Sequence, residues 1–174
     1  KYVSENVEKR DPYSFAPLNM TEGKILIDGN EAAALGSLFG GVGMVAWYPI
    51  TPSTSLVDGV IKHKKIRQDP ETGEETVAVV PAEDELAAIG MIVGAGWAGA
   101  RSMTATSGPG ISLMAEFTGL AQFAEIPCVI WDITRMGPST GLPTRTSQGD
   151  ITFIYNLGHG DSRQICLLPA TVAE

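Results

Sequence analysis

Residues 76–90 read TVAVVPAEDELAAIG, and the change of character at Pro81 decides the architecture. Residues 76–80 are a continuous apolar run rich in β-branched side chains, the pattern of a strand buried on both faces. Pro81 separates that strand from a small-residue-rich helix running from Glu83 to about Gly99. A buried strand leading directly into a long helix implies a crossover to a parallel neighbour. The same pattern continues in both directions. Upstream, residues 44–48 form a short apolar strand stopped by Pro49 and Pro52, and a helix follows over about 54–65. Its Leu56, Val57, Val60 and Ile61 make an apolar stripe at helical spacing, and Thr51 or Ser53 can cap it. Earlier still, KILIDGN at 24–30 places Asn30 as an N-cap before EAAALGSLFGG at 31–41, a helix ending at Gly40-Gly41. Downstream come a strand at 102–106, a tight turn SGPG at 107–110, a helix at 111–124 and an apolar strand at 127–133. The expected fold is α/β: three layers, a mainly parallel sheet with helices on both faces.

The 174 residues, 44% of them hydrophobic, suffice for one domain with a sizeable core. Residues 1–22, with Pro12 and Pro17 and no hydrophobic period, read as a linker or tail, and residues 23–174 as the domain. The chain starts at Lys1 and stops soon after the apolar stretch 165–168, so it reads as a fragment truncated at its C-terminus, with one sheet edge unprotected. A net charge of −8 without a Lys/Arg run argues against a nucleic-acid partner. No apolar run approaches the roughly 18 residues that span a bilayer, and the polar start lacks a signal peptide's apolar centre, so a cytoplasmic location without membrane contact is expected. Cys128 and Cys166 stand far apart with no CxxC, so no metal ligand set is assigned and any iron–sulfur cluster must sit elsewhere.

In a parallel sheet, ligands bind beyond the carboxyl ends of the strands. That rule selects residues 49–54, 81–85, 106–110 and 134–146. There is no GxxxxGK[ST] phosphate loop and no GxGxxG between strand and helix. In TSGPG, Gly108 and Gly110 either relieve backbone strain at a turn or line a pocket. The acids Glu83, Asp84 and Glu85 stand at a helix start, where capping and the macrodipole already favour carboxylates, although one of them is expected to face inward. Position alone leaves capping and catalysis both open. Arg135, directly after WDIT, either pairs with one of those acids or presents its planar fork to an anionic substrate.

Taken together, YPITPST (48–54), PAEDELAAIG (81–90), TATSGPG (104–110) and GPSTGLPT (137–144) resemble the α subunit of 2-oxoacid:ferredoxin oxidoreductases, the 2-oxoglutarate enzymes being the nearest variety. The likeness covers about residues 23 to 165. It implies a thiamine-diphosphate-binding fold and, within it, the pyrimidine-binding domain. The diphosphate and Mg²⁺ would be held by a GDG-bearing domain on a partner β subunit, since Gly149-Asp150-Ile151 and Gly160-Asp161-Ser162 fail that pattern. The resemblance makes Glu83 the catalytic carboxyl that shares a proton with the pyrimidine ring nitrogen, favouring the imino tautomer that can deprotonate the thiazolium. It places Ile50 and Thr51 against the cofactor, and Thr51, Arg135, Ser139 and Thr140 around the 2-oxoacid. Coenzyme A and ferredoxin are the implied further partners, and iron–sulfur clusters are expected on other domains or subunits. Relatives often carry Gly where Met136 stands, which bears on the shape of that loop. A non-oxidative thiamine enzyme, or a non-catalytic α/β assembly module with Glu83 as a mere cap, are the competing readings.

Overall fold

The computed structural model of the protein describes residues 2–174 apart from residues 9, 11, 17, 142–144 and 162. Strands β1 (Met44–Trp47), β2 (Ala78–Pro81), β3 (Ser102–Thr106) and β4 (Val129–Asp132) pair in parallel in the order β2-β1-β3-β4. A five-residue helix α1 (Tyr2–Asn6) lies in the N-terminal segment, ahead of the helices α2 (Gly29–Phe39), α3 (Thr54–His63), α4 (Glu85–Trp97) and α5 (Gly108–Phe123). A short helix α6 (Ile151–Tyr155) follows β4 and was not foreseen, because five residues are too few to show a helical period.

Alternation along the strands builds the three layers. Val45, Trp47, Met103 and Ala105 join Ala34 and Leu38 of α2 and Leu56, Val57 and Val60 of α3 in one core. Ala46, with Met44 and Ile130 beside it, joins Ala88, Ile89, Ile92 and Val93 of α4 and Met114 and Ala121 of α5 in the other. Each face is covered because side chains at successive strand positions point opposite ways. No described strand pairs with the outer edge of β4. Along that edge an apolar groove of roughly 950 Å³ runs past Ile126, Ile151 and Ile165.

The helix starts differ from expectation in an instructive way. Asp28, not Asn30, caps α2, accepting a hydrogen bond from Glu31 N at 2.8 Å. Asn30 instead reaches across to α3, donating to the Pro52 carbonyl at 3.0 Å and to Ser55 Oγ at 2.7 Å. At α4 the cap is Asp84, whose carboxylate accepts from Ala87 N at 2.7 Å. An aspartate's short side chain folds back onto the third amide of the helix, whereas glutamate, one methylene longer, is a poor cap. The cap therefore falls to Asp84, and Glu83 lies outside the helix. Helix α5 begins at Gly108, three residues ahead of expectation, since Pro109 in the first turn needs no amide partner.

Asp132, the last residue of β4, has both carboxylate oxygens buried without a hydrogen-bond partner. Burial, then the nearby charge of Asp150, pushes its carboxyl up to about 7. The unfolded chain loses this proton near the ordinary value of 3.8, so the native state is favoured fully below that pH and loses the contribution as pH rises through 7. Replacing Asp132 by Asn is expected to stabilise the fold by about 1–2 kcal/mol at pH 8, discounted for partial solvent screening, with no gain near pH 4, as read by urea unfolding at both pH values. Asp84→Ala should cost about 1 kcal/mol in the same assay, while Glu83→Ala should stay within about 0.5 kcal/mol.

Candidate functional site

Every strand points its carboxyl end the same way, so the four loops singled out above share one edge of the sheet. The turn after β1 is wound on a single acceptor. The Ile50 carbonyl receives Ser53 N at 2.8 Å, Thr54 N at 3.2 Å and Ser53 Oγ at 2.9 Å. Ser53 is fully buried by this, Ile50 is half-buried, and Thr51 is exposed at the tip, joined to Pro52 by a cis peptide. Next to it, Ala82 N donates to the Trp47 carbonyl at 2.8 Å, which carries the β2 ladder one residue past Pro81. Glu83 is thus held beside the β1 loop, and it is exposed. The acid turned inward is Glu85, only 8% exposed on the first turn of α4. Among the three acids the work divides as cap (Asp84), buried helix residue (Glu85) and exposed edge residue (Glu83).

On the far side of the sheet, Ser107 Oγ donates to the Ile133 carbonyl at 2.7 Å and Ile133 N to the Thr106 carbonyl at 2.9 Å, extending the β3–β4 pairing past the strands. Arg135 follows at once. Its side chain is 4% exposed rather than presented at the surface. Nη1 donates to the Thr51 carbonyl at 2.8 Å, and Nε is buried with no partner. Arg135 therefore spans from the end of β4 to the loop after β1, tying together two loops separated by 84 residues. The partner of this contact is a backbone carbonyl of the loop after β1 and not one of the acids at 83–85.

Beyond it the chain makes a closed excursion, with Met136 N donating to the Arg145 carbonyl at 2.8 Å. Gly141 N donates to the Pro138 carbonyl at 2.9 Å, so Ser139 and Thr140 are the exposed centre of a tight turn. Residues 142–144 of this motif lie outside the described residues. The two glycines of TSGPG serve close approach. Neither has a positive φ. A Cβ on Gly110 would collide with Thr106 Oγ1, and one on Gly108 would lie 2.8 Å from Asp150 Oδ1.

The structure thus brings Thr51 and Arg135 into contact, sets Ile50 and Glu83 on adjacent loops, and puts Ser139 and Thr140 on a turn just past Arg135. Sequence reasoning missed Asp132 and Asp150. Asp132 had a readable signal, an acid closing an apolar strand; Asp150 reaches the site only through α6. Among the described residues, no three His, Cys, Asp or Glu side chains are grouped to hold a metal ion. No helix of the described residues is long and apolar enough to cross a membrane.

Residues 36–174 match the family described as pyruvate flavodoxin/ferredoxin oxidoreductase, thiamine diP-bdg. The 2-oxoacid:ferredoxin oxidoreductase subunit alpha of Saccharolobus solfataricus is 48% identical over 159 residues, covering 89% of this chain and 25% of its own length. The 2-oxoglutarate synthase subunit KorA of Methanocaldococcus jannaschii is 44% identical over 148 residues, covering 85% of this chain and 38% of its own. A solved structure of 2-oxoglutarate:ferredoxin oxidoreductase from Magnetococcus marinus, with 2-oxoglutarate, coenzyme A and succinyl-CoA bound, superposes with a TM-score of 0.74 at 42% identity, over 92% of this chain and 27% of that one. The chain spans between a quarter and two fifths of the length of these relatives. A family match over four fifths of the sequence, joined to relatives of this identity, shows that the chain belongs to the thiamine-diphosphate-binding family of the pyruvate flavodoxin/ferredoxin oxidoreductases.

Proposed function

We propose that this chain is the pyrimidine-binding part of a thiamine-diphosphate-dependent 2-oxoacid:ferredoxin oxidoreductase, which decarboxylates a 2-oxoacid oxidatively to an acyl-CoA and passes the electrons to ferredoxin. The observation that carries this reading is the division of labour at residues 83–85: Asp84 takes the cap, which leaves Glu83 exposed at the ligand-binding edge of the sheet. An acid with no structural duty, placed at that edge in a family that binds thiamine diphosphate, is the fitting partner for the cofactor's pyrimidine nitrogen.

When bound, thiamine diphosphate supplies the electron sink for cleavage of the bond to the departing carboxylate. The residues of this chain do the rest of what falls to it. Glu83 would hold the pyrimidine ring of the bound cofactor through a carboxylate oxygen, where it could share a proton with the ring nitrogen. That sharing needs the carboxyl desolvated, and Glu83 alone is exposed, so the cover comes from a second domain carrying the diphosphate and metal contacts. Ile50 offers a half-buried apolar surface to the cofactor ring. Arg135 and Thr51 form the carboxylate side of the substrate site: the unpartnered Nε of Arg135 is a donor that an entering carboxylate would satisfy. Ser139 and Thr140, on the turn that follows, supply hydroxyls at the entrance. The likeness to the 2-oxoglutarate enzymes supports 2-oxoglutarate as substrate and coenzyme A as acceptor. A β subunit holding the diphosphate and Mg²⁺, iron–sulfur clusters elsewhere in the assembly, and a cytoplasmic setting complete the reading.

With the full-length subunit and its partner, 2-oxoglutarate-dependent reduction of a viologen dye is expected to fall at least a hundredfold in Glu83→Gln, the scale of a lost general acid–base group. Activity of that variant within a few fold of the parent would refute the assignment.

A further inference from the structure

Asp150 occupies the N-cap position just before helix α6 yet makes no side-chain capping bond. A carboxylate there would ordinarily accept an amide of its own first turn. Instead it is 8% exposed and accepts the backbone N–H of Arg135 at 3.3 Å through Oδ2. Its two oxygens also crowd the start of α5, standing 2.8 and 2.9 Å from where a Cβ on Gly108 would be. The site is therefore shaped for this carboxylate from three sides: the Arg135 amide, the bare Gly108 and the α6 turn. Its charge is also felt next door, where, after burial, it helps to raise the carboxyl of Asp132. A buried acid kept at such a place and diverted from its own helix is spent on another group's position.

We propose that Asp150 is a positioning residue for the 2-oxoacid site. It fixes the backbone at Arg135, so that the guanidinium meets the Thr51 carbonyl and the loops after β1 and β4 stay registered around the substrate carboxylate. This rests on the reading of Arg135 and Thr51 as substrate residues given above. Asp150 touches neither substrate nor cofactor. Its loss acts on substrate affinity, with the rate for bound substrate changing little.

The test uses the full-length subunit assembled with its partner, in the variants Asp150→Ala, Asp150→Asn, Gly108→Ala and Arg135→Ala. Asp150→Ala is expected to raise KM for 2-oxoglutarate about tenfold to a hundredfold, with kcat and the KM for coenzyme A within about threefold of the parent. Asp150→Asn, which keeps an oxygen acceptor, should restore most of the loss. Gly108→Ala puts a methyl where the carboxylate stands and should copy Asp150→Ala with residue 150 intact. Hydrogen exchange at the Arg135 amide should speed up in Asp150→Ala and Gly108→Ala and stay slow in Asp150→Asn. The proposal is overturned if Asp150→Ala leaves KM for 2-oxoglutarate within twofold, if it raises both KM values alike, or if Asp150→Asn is as damaging as Asp150→Ala. Arg135→Ala separates the two layers of the argument. If it raises KM for 2-oxoglutarate while Asp150→Ala does not, only the positioning role fails; if Arg135→Ala also leaves KM unchanged, the substrate-site reading itself is wrong.

Discussion

A parallel ladder cannot be closed by hairpins, so every strand of this sheet must be followed by a crossover, and each crossover leaves the sheet at the same edge. The order β2-β1-β3-β4 fixes which loops become neighbours there. The loop bearing Ile50 and Thr51 lies between the one bearing Glu83 and the one after β3, and the segment after β4 reaches over to it through Arg135. Four stretches dispersed over about a hundred residues of sequence are thereby made one surface. The part-buried hydrogen bond from Arg135 Nη1 to the Thr51 carbonyl is the tie that keeps the two sides of that surface together.

In and just past the two strands that lead to this edge from the far side, polar groups are left incompletely satisfied. Thr104 Oγ1, Thr106 Oγ1, both oxygens of Asp132 and Arg135 Nε are buried without partners. All belong to β3, β4 or the residues just past them. Buried polar atoms are ordinarily paired, and a group of them in one part of the sheet is a departure of the kind that functional sites display. Away from this edge the two cores are built from aliphatic side chains in contiguous clusters.

Much of this was readable in the sequence because hydrophobic pattern reports burial. The four strands, the helices between them and the parallel arrangement followed from runs such as 44–48 and 102–106. The run 76–80, read as a strand buried on both faces and ended by Pro81, is instead the edge strand β2, which includes Pro81 and leaves Ala78 and Pro81 exposed. What the pattern could not report was which member of an acidic or hydroxyl-rich cluster does which job. Asp28 against Asn30, and Asp84 against Glu83, are choices made by one methylene and one amide, and hydrophobic period is blind to them. Arg135 was visible as an anomaly, but its inward turn depends on a carbonyl 84 residues away. Asp150 was read only as part of a failed GDG match. Its reach to Arg135 comes from α6, too short to announce itself.

Under the proposed function, this chain supplies one side of a shared cofactor site: an exposed acid and an apolar loop that become a binding surface only under a second domain. The most direct check is titration calorimetry of thiamine diphosphate with and without Mg²⁺, on the chain alone and on the full-length subunit joined to its partner. Weak, Mg²⁺-insensitive binding by the chain alone and tight, Mg²⁺-dependent binding by the assembly is the predicted result. Tight, Mg²⁺-dependent binding by the chain alone would contradict it.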